Sequence, residues 1–325
     1  MDWNGRKVLV TGAAGFIGSH LVEELVERGA RVTAFVRYTS RGRVGPLAAH
    51  AGELDVVAGD LTELESVQRA VAGQDTVFHL AASIGVPYSF VHPREVVQAN
   101  TIATLNLLTA AREAGSRRLL LTSTSEVYGT ARSVPIGEEH PLQAQSPYAA
   151  SKIAADKLAE SFHHAFRLPV VTVRPFNTYG PRQSQRAVIP TIIAQALAGG
   201  PVRLGATAPT RDFLYVRDTV AGMLRAAEVE AAVGEVLNLA TGVEIAIVDL
   251  ARKILDLLGL ELEIVSDAAR LRPGTSEVER LCGDNAKAAR LLDWEPRTAL
   301  EEGLAATIDW MRTTEAGEAA ARYHV

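Results

Sequence analysis

The sequence predicts an α/β fold in which helices cover both faces of a parallel sheet. Short apolar runs alternate with longer segments of helical period, as expected when parallel strands are joined by crossover helices. The first apolar run ends in a glycine-rich turn that leads directly into a helix. After about residue 176 the alternation loosens and turn residues become frequent, which indicates a second, smaller α/β lobe.

Each predicted strand is a short apolar run bounded by turn residues. Such runs occur at 7–10, 31–36, 54–57, 76–79, 118–121, 170–173 and 235–239. Helical segments have apolar residues at every third or fourth position. The first of them ends at Gly29, and the others cover 64–71, 97–114, 147–166, 189–198, 219–227, 247–258, 286–292 and 300–311. These elements predict a doubly wound lobe at 1–175, rejoined by about 212–242, and a smaller substrate lobe at 176–211 and 243–325.

The composition excludes several classes of protein. The 325 residues are 47% hydrophobic and 22% charged, which is typical of a globular protein. The formal charge of −5 does not indicate binding to nucleic acid or to an anionic membrane. The single cysteine, Cys282, excludes a disulfide framework and is expected in the core, and the eight histidines show no metal-binding spacing. No apolar run reaches the roughly 20 residues that span a bilayer, and the start of the chain has no signal-peptide pattern. We therefore expect a cytoplasmic protein without a metal site.

The glycine-rich turn predicts a dinucleotide site of Rossmann type. Its glycines are spaced G-x-x-G-x-x-G between a strand and a helix, so the backbone can approach a pyrophosphate at the helix N-terminus. The predicted cofactor-binding residues of this turn are Gly12, Gly15, Phe16, Ile17 and Gly18.

Three further segments are expected along the cofactor. Asp60 and Leu61 end the third strand, where the carboxylate would reach the adenine amino group or would instead cap the next helix. Ala81 and Ala82 supply small residues at the sheet edge. The second strand ends without a carboxylate but with Arg37, which suits a 2′-phosphate and favours NADP over NAD. The alternative for Arg37 is a solvated basic loop in an arginine-rich protein.

The catalytic candidates lie after the fifth strand and in the helix at 147–166. Tyr148 and Lys152 are four residues apart on one helical face. A tyrosine removes the proton of an alcohol only if nearby positive charge favours its phenolate, and Lys152 provides such charge. Thr124 would donate or relay a hydrogen bond to the same oxygen. The alternative is an ordinary amphipathic helix that happens to carry this pair.

These motifs together resemble the extended short-chain dehydrogenase/reductases, which include nucleotide-sugar epimerases and dehydratases. The resemblance covers nearly the whole chain and continues through Asn100, the segment from Arg174 to Arg182 and the segment from Thr210 to Asp218. It implies a nucleotide-diphosphate sugar as substrate, tightly held NADP or NAD, and a cofactor-binding role for Asn100. It also implies a homodimer packed through a four-helix bundle, formed here by the helices near 97–114 and 147–166.

Within this family Glu126 indicates the subclass. In 4,6-dehydratases C4 is oxidised, a carboxylate removes the C5 proton, water leaves from C6 and hydride returns to C6. The resemblance gives Glu126 the C5 step; the alternative is a structural hydrogen-bond acceptor. Ser125 stands where glucose-type dehydratases carry an aspartate, so either protonated Glu126 serves both steps or water held by Ser125 relays the proton.

The segments around these residues look most like bacterial UDP-N-acetylglucosamine 4,6-dehydratases. The same Thr-Ser-Glu segment is similar to that of UDP-glucuronate decarboxylases, and a 4-epimerase is a further alternative. A catalytically silent dinucleotide-sensing regulator is disfavoured because the tyrosine and lysine are intact. The resemblance assigns the substrate to Asn177, Arg211 and Arg272, with Arg186 as a weaker candidate, although each arginine could be a surface residue.

Overall fold

The computed structural model describes residues 2–37, 45–50, 52–272 and 276–313. Its strands, numbered in chain order, are β1 Lys7–Thr11, β2 Arg31–Arg37, β3 Asp55–Gly59, β4 Thr76–His79, β5 Arg118–Thr122, β6 Val170–Pro175, β7 Asn177–Tyr179, β8 Val202–Leu204, β9 Thr210–Tyr215, β10 Val236–Leu239, β11 Glu244–Ala246, β12 Ile264–Ser266 and β13 Arg280–Leu281. The helices are α1 Phe16–Glu27, α2 Leu64–Val71, α3 Val86–Val91, α4 Pro93–Val97, α5 Ala103–Ala114, α6 Pro147–Phe166, α7 Val188–Leu197, α8 Val216–Glu228, α9 Ile247–Leu258, α10 Ala286–Leu292 and α11 Leu300–Thr313.

Seven parallel strands form the large sheet, in the order β3-β2-β1-β4-β5-β6-β10. All seven predicted strands lie in it, so the predicted doubly wound α/β fold is confirmed. The chain builds outward from β1 to β3 and then returns to place β4 on the other side of β1. Ligands bind at such a reversal of strand order, outside the carboxyl ends of the strands.

Helices bury apolar side chains on both faces of this sheet. On one face, α2, α5 and α6 contribute Val67, Leu107 and Phe162 to a single core. On the other face, Leu21 of α1 and Met223 of α8 pack in a second core. Two covered faces explain why the strands are almost continuously apolar rather than alternating.

The smaller lobe is built on short strands. β11, β9 and β13 form a sheet that β7 joins through β9, and β8 pairs with β12. Helices α7, α9 and α11 cover it with a core that includes Ile192, Leu250 and Ile308. The predicted lobe boundaries remain a prediction, and one helix packs across them. Leu292 of α10, from the segment assigned to the smaller lobe, belongs to the core of the large sheet.

The predicted helix at 97–114 begins earlier and is interrupted. It starts with α4 at Pro93, passes through a π-helical turn at Gln98–Ile102 and continues as α5. A π-helical turn inserts an extra residue into the helical repeat and re-aims the side chains that it carries. This turn contains Asn100.

Cys282 lies in the core, as the sequence predicts, with 6% of its surface exposed. Burial raises the pKa of its thiol to about 11. Among the residues that the structure describes, no cluster of three or more histidine, cysteine or acidic side chains could hold a metal ion. Within the same residues, every helix is too short or too polar to cross a bilayer. The cytoplasmic location remains a prediction.

Candidate active site

The glycine turn after β1 is packed so closely that a side chain at Gly12 or Gly18 would collide with the backbone. Gly12 has a φ of +69°, and a Cβ there would lie 2.8 Å from the Ala81 nitrogen. A Cβ on Gly18 would lie 2.2 Å from the Gly12 carbonyl oxygen. Gly15 caps α1 without any side-chain hydrogen bond, so the first N–H groups of α1 have no side-chain acceptor there. An exposed helix N-terminus behind a close-packed glycine turn fits a dinucleotide pyrophosphate.

Phe16 and Ile17 open α1 next to this turn. Both side chains are half-buried, and both pack against the core of the smaller lobe. Ile17 also contacts the core of the large sheet. Their cofactor role remains a prediction.

His79, at the end of β4, forms a buried polar chain behind the glycine turn. The Thr11 hydroxyl accepts the Ala81 N–H and donates to His79 Nδ1, 2.8 Å away, because the ring proton of His79 lies on Nε2. His79 Nε2 then donates to the Thr104 hydroxyl at 3.0 Å, which donates in turn to the Asn100 carbonyl oxygen. Burial, with a contribution from Lys152, lowers the His79 pKa to about 3, so the imidazole is neutral with its proton on Nε2. Thr11 and His79 were not predicted as site residues, although His79 precedes the predicted Ala81.

The side chain of Asn100 links the β4 end to α6. Its Oδ1 accepts the Ser83 N–H at 2.7 Å, and its Nδ2 donates to the Ser83 carbonyl and the Ser151 hydroxyl. The Ser151 hydroxyl donates to the Tyr148 carbonyl. Asn100 thus positions the helix that carries Tyr148, and direct cofactor binding by Asn100 remains a prediction.

The predicted adenosine end of the cofactor site is described only in part. Asp60 Oδ1 accepts both the N–H and the hydroxyl of Thr62 at 2.8 Å. These hydrogen bonds, and the nearby charge of Arg37, lower the Asp60 pKa. The Leu61 carbonyl accepts from Asn106. Arg37 ends β2, whereas the rest of the basic segment, 38–44, lies outside the described residues. Ala82 is half-buried just beyond β4, and its contact with a cofactor remains a prediction.

Tyr148 and Lys152 lie together on the buried face of α6. The ammonium of Lys152 donates to the Thr122 carbonyl at 2.7 Å, and Lys152 is 3% exposed. Burial lowers the Lys152 pKa to about 8, while Asp156 acts in the opposite direction. Burial raises the Tyr148 pKa, and a hydrogen bond with Thr124 partly offsets that rise. The predicted trio therefore occupies one site, in which the tyrosine needs additional positive charge to ionise.

The turn after β5 presents the other catalytic candidates. Thr124 caps a 3₁₀ turn at Ser125–Tyr128, and its hydroxyl accepts the Glu126 N–H at 3.2 Å. Ser125 is 3% exposed. The Gln143 N–H donates to the Val127 carbonyl at 2.8 Å, which ties this turn to the chain entering α6.

Glu126 faces two arginines from distant parts of the sequence. Its Oε2 lies 3.6 Å from Arg272 Nη1, and Arg211 is close enough for the Glu126 charge to act on it. Glu277 bridges the arginines: its Oε1 accepts from Arg211 Nη2 at 3.1 Å, and its Oε2 lies 3.7 Å from Arg272 Nε. Glu277 was not predicted as a site residue. The structure thus brings two of the three predicted phosphate-binding arginines to the predicted base.

The remaining substrate candidates differ. Asn177 is half-buried on β7, and its amide donates to the Asp212 carbonyl at 3.4 Å. Arg186 is exposed ahead of α7. Among the ion pairs of the described residues, none joins Arg186 to the cluster around Glu126, so its substrate role remains a prediction.

Comparison with known proteins identifies the family. The model of the GDP-mannose 4,6-dehydratase family matches residues 9–307. A dTDP-glucose 4,6-dehydratase of Xanthomonas campestris is 35% identical, over 94% of this chain and 93% of its own. A UDP-glucose 4-epimerase of Mycolicibacterium smegmatis is also 35% identical, over 94% and 98%.

A solved structure shows the same architecture. It is a double mutant of a dTDP-glucose 4,6-dehydratase from Streptomyces venezuelae with NAD bound, which has 31% identity and a TM-score of 0.87 over 95% of this chain and 98% of its own. The chain therefore belongs to the GDP-mannose 4,6-dehydratase family of NAD(P)-dependent nucleotide-sugar dehydratases and epimerases within the short-chain dehydrogenase/reductases.

Proposed function

We propose that the protein is a nucleotide-sugar 4,6-dehydratase. The observation that carries this proposal is the placement of the Glu126 carboxylate on the turn that Thr124 caps, with the Thr124 hydroxyl bonded to Tyr148. A 4-epimerase needs only the tyrosine, the lysine and the threonine, whereas a dehydratase also needs a base for C5. The UDP-N-acetylglucosamine substrate rests on the sequence resemblance alone.

The chain's own groups divide the reaction between them. Gly12, Gly15, Gly18, Tyr148 and Lys152 would hold the nicotinamide cofactor, which would supply the hydride chemistry at C4 and C6. Tyr148 takes the C4 hydroxyl proton, with the charge of Lys152 favouring its phenolate. The Thr124 hydroxyl orients the same oxygen.

Glu126 removes the C5 proton, which the neighbouring C4 ketone has made acidic, and C5 takes up a proton of solvent origin when hydride returns to C6. The C6 hydroxide needs a proton to leave, and two sources are open: protonated Glu126, or water held by Ser125. The two arginines beside Glu126, Arg211 and Arg272, would hold the diphosphate, since their forked donors match phosphate oxygens.

Replacing Glu126 with Gln tests this proposal. The variant should still oxidise C4, seen as absorbance of reduced nicotinamide. Its rate of forming the 4-keto-6-deoxy product should fall by at least about 100-fold. Product is identified by NMR from UDP-N-acetylglucosamine and, in parallel, from dTDP-glucose. Turnover of the variant at the wild-type rate would exclude Glu126 as the C5 base.

A 4-epimerase is the second candidate, because the Mycolicibacterium relative is described as one. In that case the wild-type protein would yield only the C4 epimer. Products from UDP-glucuronate would instead indicate a decarboxylase. A dinucleotide-sensing regulator would retain its cellular function in a Tyr148→Phe variant.

The choice between NADP and NAD is open to a direct test. Arg37 at the end of β2 favours NADP, whereas the Streptomyces structure contains NAD. Titration calorimetry of both cofactors against the wild type and an Arg37→Ala variant separates the cases. If Arg37 binds a 2′-phosphate, the variant loses affinity for NADP but not for NAD.

We also propose a homodimer that packs through α5 and α6. Exposed apolar side chains lie on the elements around these helices: Val97 is 42% exposed, Ile102 41% and Phe166 48%. A dimer interface on these helices would cover these apolar side chains.

A further inference from the structure

A buried polar chain joins α6 to the turn that carries Glu126. It begins at Asp156, which follows Tyr148 and Lys152 at the same four-residue spacing and so lies on the same helical face. Asp156 Oδ2 accepts from Arg174 Nε at 3.0 Å, and Arg174 Nη2 lies 3.0 Å from the same oxygen in an ion pair. The two side chains are 3% and 4% exposed. Arg174, from β6, is therefore held in one orientation.

Arg174 fixes the hydroxyl of Tyr128 in turn. Its Nη1 donates to the Tyr128 hydroxyl at 2.9 Å, and its guanidinium carbon lies 5.0 Å from the centre of the ring. Because arginine only donates, the Tyr128 hydroxyl accepts this bond and donates its own proton to Asn238 Oδ1, at 2.8 Å. Asn238 Nδ2 then donates to the Ile136 carbonyl. Tyr128 is fully buried, and its hydroxyl is hydrogen-bonded in both directions.

The turn depends on contacts from outside it, which are those of Tyr128 and the Gln143 N–H that donates to the Val127 carbonyl at 2.8 Å. The turn's own hydrogen bonds are long: 3.5 Å from the Val127 N–H to the Thr124 carbonyl, and 3.3 Å from the Gly129 N–H to the Glu126 carbonyl. Thr124, by contrast, directly follows Ser123, whose N–H donates to the Val173 carbonyl at 2.7 Å. The sheet therefore fixes Thr124, whereas Glu126 projects beyond it.

We propose that Tyr128, oriented by Arg174, is a positioning residue for the carboxylate of Glu126 and serves the elimination step rather than the oxidation step. This inference rests on the proposed dehydratase function. Tyr128 ends the turn two residues after Glu126, so a shift of its ring moves the backbone that carries the base. Thr124 and Tyr148 keep their own supports from the sheet and from α6.

A Tyr128→Phe variant tests this role, since it keeps the ring and removes only the hydroxyl. In a single turnover, reduced nicotinamide should form at the wild-type rate. The KM from steady-state assays should also be unchanged. Deuterium incorporation at C5 from heavy water and formation of the 4-keto-6-deoxy product should slow by about 10- to 100-fold, the cost of a misplaced catalytic group. Arg174→Lys, which keeps a charge for Asp156 but loses the fork, should show the same selective slowing.

The control is Tyr179→Phe. Tyr179 is also buried, and its hydroxyl donates to the Leu300 carbonyl at 3.1 Å within the smaller lobe. It should lose comparable thermal stability without changing either rate.

Three results would overturn the positioning role. The first is elimination by Tyr128→Phe at the wild-type rate. The second is that Tyr128→Phe slows oxidation as much as elimination. The third is that Tyr179→Phe slows elimination selectively to the same extent as Tyr128→Phe. A Glu126→Gln variant run in parallel separates the two levels of inference. If that variant still exchanges C5 normally, the proposed base fails and the positioning role fails with it; if only Tyr128→Phe is normal, the positioning role alone fails.

Discussion

Lys152 carries its ammonium group almost entirely inside the protein. Three titratable groups lie around it: Asp156 one turn later on α6, Tyr148 one turn earlier on the same helix, and the neutral His79 of β4. Burial disfavours the charged form, and the Asp156 carboxylate favours it. Lys152 therefore loses its charge at a pH well below the pKa of an ordinary lysine, and above that pH it no longer favours the phenolate of Tyr148.

We expect C4 oxidation to lose rate above about pH 8, where Lys152 loses its proton. An Asp156→Asn variant should move this fall to lower pH, because the carboxylate that supports the charge is gone and Arg174 is left uncompensated. Single-turnover absorbance of reduced nicotinamide across pH 6 to 10 or so measures both profiles. An alkaline limb at the same pH in both proteins would contradict the assignment.

His79 is a buried neutral histidine and makes stability depend on pH. Its folded pKa of about 3 lies below the unfolded value of 6.5, so the unfolded chain binds a proton first as pH falls. His79 therefore costs nothing at pH 8 and destabilises the fold progressively from pH 6.5 towards pH 3. At pH 5 this amounts to about 2 kcal/mol.

Urea unfolding of the wild type and of a His79→Gln variant should show this difference. Between pH 8 and pH 5, the unfolding free energy of the wild type should fall by about 2 kcal/mol more than that of the variant. An identical pH dependence in the two proteins would mean that His79 is protonated in the fold.

At the scale of elements, the glycine turn and α1 behave as one unit. Gly18 faces the Gly12 carbonyl so closely that any side chain would separate the helix from the turn. The N–H groups at the start of α1 would then be displaced from the position of a bound pyrophosphate.

A Gly18→Ala variant should therefore lose cofactor affinity by about 10-fold or more and unfold at lower temperature. Gly200→Ala is the matched control, since a Cβ at Gly200 meets no atom within 4 Å. Titration calorimetry with NAD and NADP, together with a melting curve, gives both quantities. Wild-type affinity in Gly18→Ala would show that the turn accommodates a side chain.

The elements differ in how far they could be predicted. The seven strands of the large sheet are apolar runs bounded by turns, and α2, α6, α9 and α10 have the predicted bounds. The strands β7 and β11 have three residues each, too few to establish an alternating pattern. The start at Pro93 and the π-helical turn were not predicted, because a shift of one residue in the helical repeat barely alters the apolar spacing.

The same limit applies to the site. Tyr148 and Lys152 are recognisable because one helix fixes their spacing, and Gly12, Gly15 and Gly18 because one turn does. Glu277 and Arg174 act on residues far away in the chain, through contacts that only the folded sheet creates. A sequence pattern contains no signal for such pairs.

At the scale of the whole molecule, hydrogen bonds join the segment after β7 to α1. Arg182, with a φ of +68°, donates to Glu23 of α1 at 2.6 Å, and His20 bonds the Pro181 carbonyl at 3.0 Å. The segment that follows β7 is thereby fixed to the helix of the glycine turn. The proposed dimer would form on the other face of the large sheet, through α5 and α6.

An Ile102→Glu variant tests that dimer. A charge at this exposed apolar position should weaken association by about 10- to 100-fold and yield monomers in sedimentation velocity. Val243→Glu is the control, because Val243 is 71% exposed but precedes β11 in the other lobe. A monomeric wild type, or an unchanged Ile102→Glu dimer, would contradict the proposed interface.

The burial of Cys282 has a practical consequence for spectroscopy. It is the chain's single cysteine, and with a pKa of about 11 its thiolate fraction at neutral pH is about one in ten thousand. Maleimide reagents, which attack thiolates, should therefore leave the native chain almost unlabelled. A cysteine introduced at one exposed position, such as Val243, would accept a fluorophore selectively, so the surroundings of that position could be followed without first removing the native thiol.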